Sequence, residues 1–198
     1  MNGIKRISVF CGSSRGNDDI FEKQAFRLGE ILASRKIGLV YGGTKIGLMN
    51  AVANGALSRG GEVTGVLPRF ISDKGIAHDN LTELVLVDTM HERKTRMHEL
   101  SEGIIALPGG FGTMEEFFEI LTWGQLGLHR KPAGLLNIKG FYDPLMALAS
   151  AMNANGFIRE SSRRMLLISD NIDTLLNLME EYTAPSFDKW NITKDLQT

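Results

Sequence analysis

The feature that most constrains this 198-residue chain is a joint between an apolar run and a glycine-rich turn. Gly103-Ile104-Ile105-Ala106-Leu107 is short and apolar throughout, and it reads as a buried parallel strand. It runs into Pro108-Gly109-Gly110-Phe111-Gly112-Thr113-Met114-Glu115-Glu116, after which Phe117 to Leu121 reads as the start of a helix. A strand, a glycine turn and a helix N-terminus together make an anion site. Glycines let backbone N–H groups approach a ligand with no Cβ in the way. The helix start adds unpaired N–H groups and the positive end of its dipole. The turn is therefore expected to hold a phosphate. Thr113 and Glu116 also fit a capping box, as N-cap and N3. A plain cap does not need three glycines in four positions, so capping alone does not explain the stretch.

The same grammar recurs along the chain. Strands are expected at 4–10, 36–41, 62–67, 83–87, 103–107, 131–137 and 165–168. Helices are expected at about 19–35, 46–59, 88–97, 117–126, 141–153 and 170–181, the first capped by Asp18 or Asp19. Residues 69–82 lack periodicity and read as an irregular loop. Glycines cluster at the expected turns. Regular alternation of strand and helix implies an α/β fold: a doubly wound parallel sheet in a Rossmann-like three-layer single domain over residues 1–182. Residues 183–198 read as a C-terminal tail or arm.

Several classes of function are excluded or disfavoured. A net charge of −1 with no basic run argues against nucleic acid as partner. No apolar stretch reaches the roughly 18 residues of a membrane span, and no signal peptide is visible, so a cytoplasmic location is expected. One cysteine, Cys11, suits a reducing compartment and reads as a small buried hydrophobe. The four histidines, His78, His91, His98 and His129, lack zinc-ligand spacing, so no metal is expected.

The remaining motifs point to a nucleotide or sugar phosphate. Gly42-Gly43-Thr44-Lys45-Ile46-Gly47 is a second glycine turn that opens a helix, but it is neither a Walker A loop nor a dinucleotide fingerprint. Cys11-Gly12-Ser13-Ser14 is the first strand-to-helix turn, where Ser14 is placed to meet a phosphate or ribose or to serve as a plain turn residue. Arg93 and Lys94 follow the fourth strand closely. Their spacing alone favours a solvated helix face, with Glu92 and Arg96 as an i,i+4 pair.

Pro108-Gly109-Gly110-Phe111-Gly112-Thr113-Met114-Glu115-Glu116 closely resembles the PGGxGTxxE signature of the Lonely Guy (LOG) family. Cys11-Gly12-Ser13-Ser14, Tyr41-Gly42-Gly43 with Gly47-Leu48-Met49, Gly65-Val66-Leu67-Pro68, and Met90-His91-Glu92-Arg93-Lys94 resemble further blocks of that family, in its order. Only the C-terminal arm lies outside the likeness. The resemblance implies a cytokinin riboside 5′-monophosphate phosphoribohydrolase, long mislabelled a lysine decarboxylase. Such an enzyme hydrolyses the N-glycosidic bond of an N6-modified AMP to free base and ribose 5-phosphate. It further implies a homodimer with the site near the subunit interface, and no cofactor. Carried over by motif, Arg93 and Glu116 are the catalytic pair. Gly110, Gly112 and Thr113 hold the 5′-phosphate, with Ser14, Gly43 and Lys94 nearby and Gly109 also among the substrate-binding residues. Glu115, the neighbour of Glu116, is a further substrate-binding candidate, for the ribose hydroxyls.

Two departures are visible. Gly75 stands where the family often carries an acid, and Thr44 where many members carry a third glycine. The alternative reading is a non-catalytic nucleotide or molybdenum-cofactor carrier of the same fold, which needs the glycine turns but not the Arg93–Glu116 pair. A pyridoxal-phosphate decarboxylase needs a Schiff-base lysine, and neither Lys45 nor Lys94 sits in a recognisable motif for one.

Overall fold

Seven strands pair side by side in one all-parallel sheet: β1 Arg6–Phe10, β2 Gly38–Tyr41, β3 Val63–Pro68, β4 Glu83–Val87, β5 Gly103–Ala106, β6 Ala133–Leu136 and β7 Leu166–Ser169. The computed structural model describes residues 3–185. Each strand is expected from its apolar run, and five of the seven fall within the expected bounds, β3 and β7 each ending one residue beyond. Helices follow the strands: α1 Asp19–Ser34, α2 Gly47–Ser58, α3 Arg69–Ser72, α4 Met90–Glu99, α5 Phe111–Gln125, α6 Asp143–Ala154, α7 Glu160–Arg163 and α8 Ile172–Glu180. A 3-10 turn, Ile138–Gly140, precedes α6.

The sheet separates two cores. Ile7, Val9, Leu39 and Ile105 face α1, α2 and α8, where Leu28, Val52 and Leu175 meet them. Phe10, Val40, Ile104 and Ala106 face α4, α5 and α6, where Met97, Phe117 and Tyr142 meet them. Alternate residues of one strand thus serve opposite layers, as the period of two requires. β1, β2 and β5 are consequently buried on both faces, and their short runs carry almost no polar side chain. Arg6 opens β1 in an exposed position, and Ser8 is the buried exception. It is fully buried and donates to the Met97 carbonyl of α4 at 2.8 Å, which ties the middle of the sheet to that helix.

Strand order is β4-β3-β2-β1-β5-β6-β7, so the winding reverses between β1 and β5. The reversal puts the loops that leave these two strands side by side at the carboxyl edge of the sheet, the place where such sheets bind ligands.

Four local expectations are corrected. The stretch 69–82 is not wholly irregular. It holds α3, and Ala77 bridges antiparallel to Thr44, with His78 N–H donating to the Gly43 carbonyl at 3.0 Å. α5 begins at Phe111 rather than near Phe117, so its N-cap is Gly110 and Thr113 does not cap it. Glu92 accepts from Asp88 N–H at 2.8 Å rather than pairing with Arg96. Glycines are not confined to turns, since Gly29 and Gly55 lie inside α1 and α2. The tail expected over 183–198 lies, from residue 186 onward, outside the described residues.

Candidate functional site

The glycine turn after β5 and the turn after β1 are built against one another. Gly12 N–H donates to the Pro108 carbonyl at 3.1 Å, and Leu48 N–H donates to the Gly12 carbonyl at 3.0 Å. A Cβ on Gly109 would lie 2.1 Å from Thr113 Oγ1 and 2.9 Å from Gly12 N, so only glycine permits this approach. Gly110 and Gly112, by contrast, face open space. Backbone N–H groups at the start of α5 are therefore uncovered, with the helix dipole behind them. Between the two turns lies a cleft of about 460 Å³, lined by Gly12 to Asn17, Leu48, Pro108 to Gly110, Phe21 and Phe141. Ser14 lines it, as does the Gly109-Gly110 pair. Gly43 does not. It is buried at the end of β2 beneath Leu67 and Leu84.

The early start of α5 decides where its acids point. Glu116 falls in the second turn and faces inward, buried, while Glu115 one residue earlier is exposed. Arg93 comes to meet Glu116 from the first turn of α4. Its Nη1 donates to Glu116 Oε1, and its Nε donates to the Val66 carbonyl at 3.2 Å. Both side chains are about nine-tenths buried, so this is an ion pair taken out of water. Gly42 makes room for it: a Cβ there would lie 2.4 Å from Arg93 Nη2. Burial raises the Glu116 pKa, and the Arg93 charge opposes that without cancelling it.

Lys94 is drawn the other way. Its ammonium lies 2.5 Å from Glu115 and 3.0 Å from Glu119, with only 6% of the side chain exposed. Burial works against its charge, but hydrogen bonds to these two carboxylates outweigh it and the pKa is raised. A lysine held protonated in this way is a poor Schiff-base nucleophile. Lys45 pairs with exposed Asp79 at 3.1 Å.

The structure therefore brings together Arg93 with Glu116, Lys94 with Glu115, and Gly109 with Thr113. Cys11 is buried in the core beside them. Burial pushes its thiol pKa well up, and the Glu116 charge adds to that, as befits an inert hydrophobe. His91 is exposed, whereas His98 packs edge-on against Trp123, so they share no environment. Among the described residues no group of three or more His, Cys, Asp or Glu side chains is placed to hold a metal ion. Gly75 turns the loop after α3 at φ 72°, a conformation that would strain the acidic side chain expected there. Residue spacing gave no sign of Gly42, which matters because a guanidinium lies against it.

Residues 49–179 match a family described as "Possible lysine decarboxylase". The chain is 47% identical over 178 residues to a rice protein named "Probable cytokinin riboside 5′-monophosphate phosphoribohydrolase LOGL1", covering 90% of this chain and 80% of that one. It is 40% identical to Arabidopsis thaliana "Cytokinin riboside 5′-monophosphate phosphoribohydrolase LOG2", covering 98% and 94%. Among solved structures it resembles a molybdenum cofactor binding protein from Rippkaea orientalis, with TM-score 0.68 and 21% identity over 90% of this chain and 96% of that one. The molybdenum cofactor carrier protein of Chlamydomonas reinhardtii gives TM-score 0.64 at 19% identity, covering 87% and 98%. At these identities the structural likeness carries the fold alone.

Proposed function

This chain belongs to the Lonely Guy (LOG) family of cytokinin riboside 5′-monophosphate phosphoribohydrolases, and on that premise we propose that it hydrolyses the N-glycosidic bond of N6-modified adenosine 5′-monophosphates. The observation that carries this reading is the buried Arg93–Glu116 pair at the carboxyl edge of the sheet, close to a glycine-built phosphate cradle. A carrier needs the cradle. It has no use for a carboxylate kept in a dry site with its pKa raised.

In the proposed reaction the 5′-phosphate rests on the N–H groups of Gly110, Gly112 and Thr113, with the Ser14 hydroxyl and Gly109 beside it. This fixes the ribose over Glu116. The bond from C1′ to the base nitrogen breaks with its electron pair leaving on the base, and positive charge develops on the ribosyl ring, as in O-glycoside cleavage. The Glu116 carboxylate stabilises that charge and takes a proton from the water whose oxygen bonds to C1′. Ribose 5-phosphate forms, and the base gains a proton and departs. Arg93 stays protonated throughout. It holds Glu116 in place and stabilises negative charge on the departing base. Lys94 orients Glu115 toward the ribose hydroxyls. The same reading includes a cytoplasmic location and a homodimer, and the homodimer is supported by the apolar side chains that α5 leaves in solvent, Phe111 and Phe118.

The test is chromatography of AMP and isopentenyl-AMP after incubation with wild-type protein and with Glu116→Gln. Wild type is expected to release free base and ribose 5-phosphate. The variant is expected to lose at least about 100-fold in rate while still binding nucleotide. Binding without cleavage by the wild type would replace the hydrolase with a carrier.

A further inference from the structure

The cradle leaves a charge unbalanced. A phosphate monoester carries up to two negative charges near neutrality, whereas a helix N-terminus supplies roughly half a positive one. The two cations expected near the site are committed elsewhere. Arg93 is paired with Glu116, and Lys94 lies between Glu115 and Glu119. Among the described residues that line the cleft between the two turns, Arg15 is the one that carries a charge. It follows Ser14 directly, opposite Gly109 and Gly110.

The position of Arg15 is built into the loop. Gly16 turns the chain at φ 82°, and a Cβ there would lie 2.8 Å from the Phe21 ring, so the loop folds tightly against the start of α1. Asp18 is already occupied, accepting from Ile20 N–H at 3.0 Å and pairing with Lys139 at 2.7 Å. The carboxylate left for Arg15 is Glu22, at 3.5 Å from its Nε. That pair is loose: Arg15 is 67% exposed and Glu22 35%. Such a surface contact is worth at most about 1 kcal/mol and is easily exchanged for a better anion.

We propose that Arg15 reads the 5′-phosphate of the substrate, leaving Glu22 to form a charge-assisted contact with the phosphate held on Gly109–Thr113, and that Glu22 competes with the phosphate for it. The inference rests on the phosphate cradle of the proposed function. It adds a residue of this chain that sets affinity for the phosphorylated sugar. Arg15 supplies the missing full charge at the rim of the cleft, and its planar fork suits phosphate oxygens. Glu22 holds the guanidinium at the rim while the site is empty.

Calorimetric titration with ribose 5-phosphate, and separately with inorganic phosphate, tests this without relying on turnover. Arg15→Gln is expected to weaken ribose 5-phosphate binding about tenfold and to flatten its salt dependence. Glu22→Gln is expected to tighten binding about threefold, because the competing carboxylate is gone. Opposite shifts in the two partners of one surface pair cannot come from a general loss of structure. Arg15→Gln binding within twofold of wild type, or Glu22→Gln weakening it, overturns the proposal. Failure of the wild type to cleave nucleotide while these shifts appear overturns the hydrolase reading and leaves Arg15 as a phosphate contact.

Discussion

At the scale of single residues, the site turns on one buried carboxylate whose readiness to take a proton is set by its surroundings. Burial raises the Glu116 pKa, and the Arg93 guanidinium opposes that rise. A base must be ionised to accept a proton from water. As pH falls through the raised value, Glu116 is neutralised and the rate falls. The acid limb of kcat/KM for AMP should therefore lie above the ordinary glutamate value of about 4.3. Arg93→Gln removes the opposing charge, so the limb should move to still higher pH while the rate drops at every pH. A limb at or below pH 4 in the wild type would remove Glu116 as the base. Some of this was legible in the residues. The PGGxGTxxE-like stretch named Glu116 and the cradle, but the helical spacing around Arg93 favoured a solvated face. What spacing lacked was the partner: Arg93 and Glu116 are 23 residues apart and meet only because α4 and α5 share one face of the sheet.

At the scale of elements, caps and close approaches decided where helices start and how near they lie. The sequence around Thr113 resembles a capping box, yet α5 starts earlier, on Gly110, and the box-like pattern is realised in α4. There Thr89 accepts from Glu92 N–H and Glu92 accepts from Asp88 N–H. The extended Gly110 backbone is what lets the chain enter the helix before Thr113. α1 and α2 show a second device hidden from periodicity. A Cβ on Gly29 would lie 2.1 Å from the Val52 carbonyl, and one on Gly55 would lie 2.0 Å from the Phe26 carbonyl. The helices therefore touch backbone to backbone, and α2 carries Leu48 and Gly47 to the rim of the cleft. Gly29→Ala gains about 1 kcal/mol of helix propensity but forces the helices apart. We expect a net loss of roughly 2 kcal/mol and a Tm lower by about 4–8 °C, read by calorimetry. A Tm at or above wild type would mean the helices separate at no cost and the contact is not specified.

At the scale of the whole molecule, alternation of strand and helix established a parallel sheet but not the order of its strands. Order is set by which loop-joined units share a layer, and that is a property of long-range packing. Its consequence is the reversal between β1 and β5, which sets the Ser14 turn beside the Gly109-Gly110 turn although 95 residues separate Ser14 from Gly109. The same arrangement leaves one face unfinished. Phe111 is 97% exposed at the start of α5, and Phe118, Leu126 and Leu128 follow it into solvent along that helix and just past its end. A lone exposed phenylalanine needs no explanation, but an apolar row along one helix and its end is what an interface would use. On the proposed reading the occupant of that face is a second copy of the chain, related by a two-fold axis. Light scattering should then give twice the chain mass of 21.9 kDa. Phe118→Glu places a charge at that face and should give a species of single-chain mass. Because Phe118 lies two residues beyond Glu116 on α5, the variant should also slow nucleotide hydrolysis if the second copy helps enclose the site. A wild type that scatters as one chain, or a Phe118→Glu variant that stays a dimer, would move the interface away from α5.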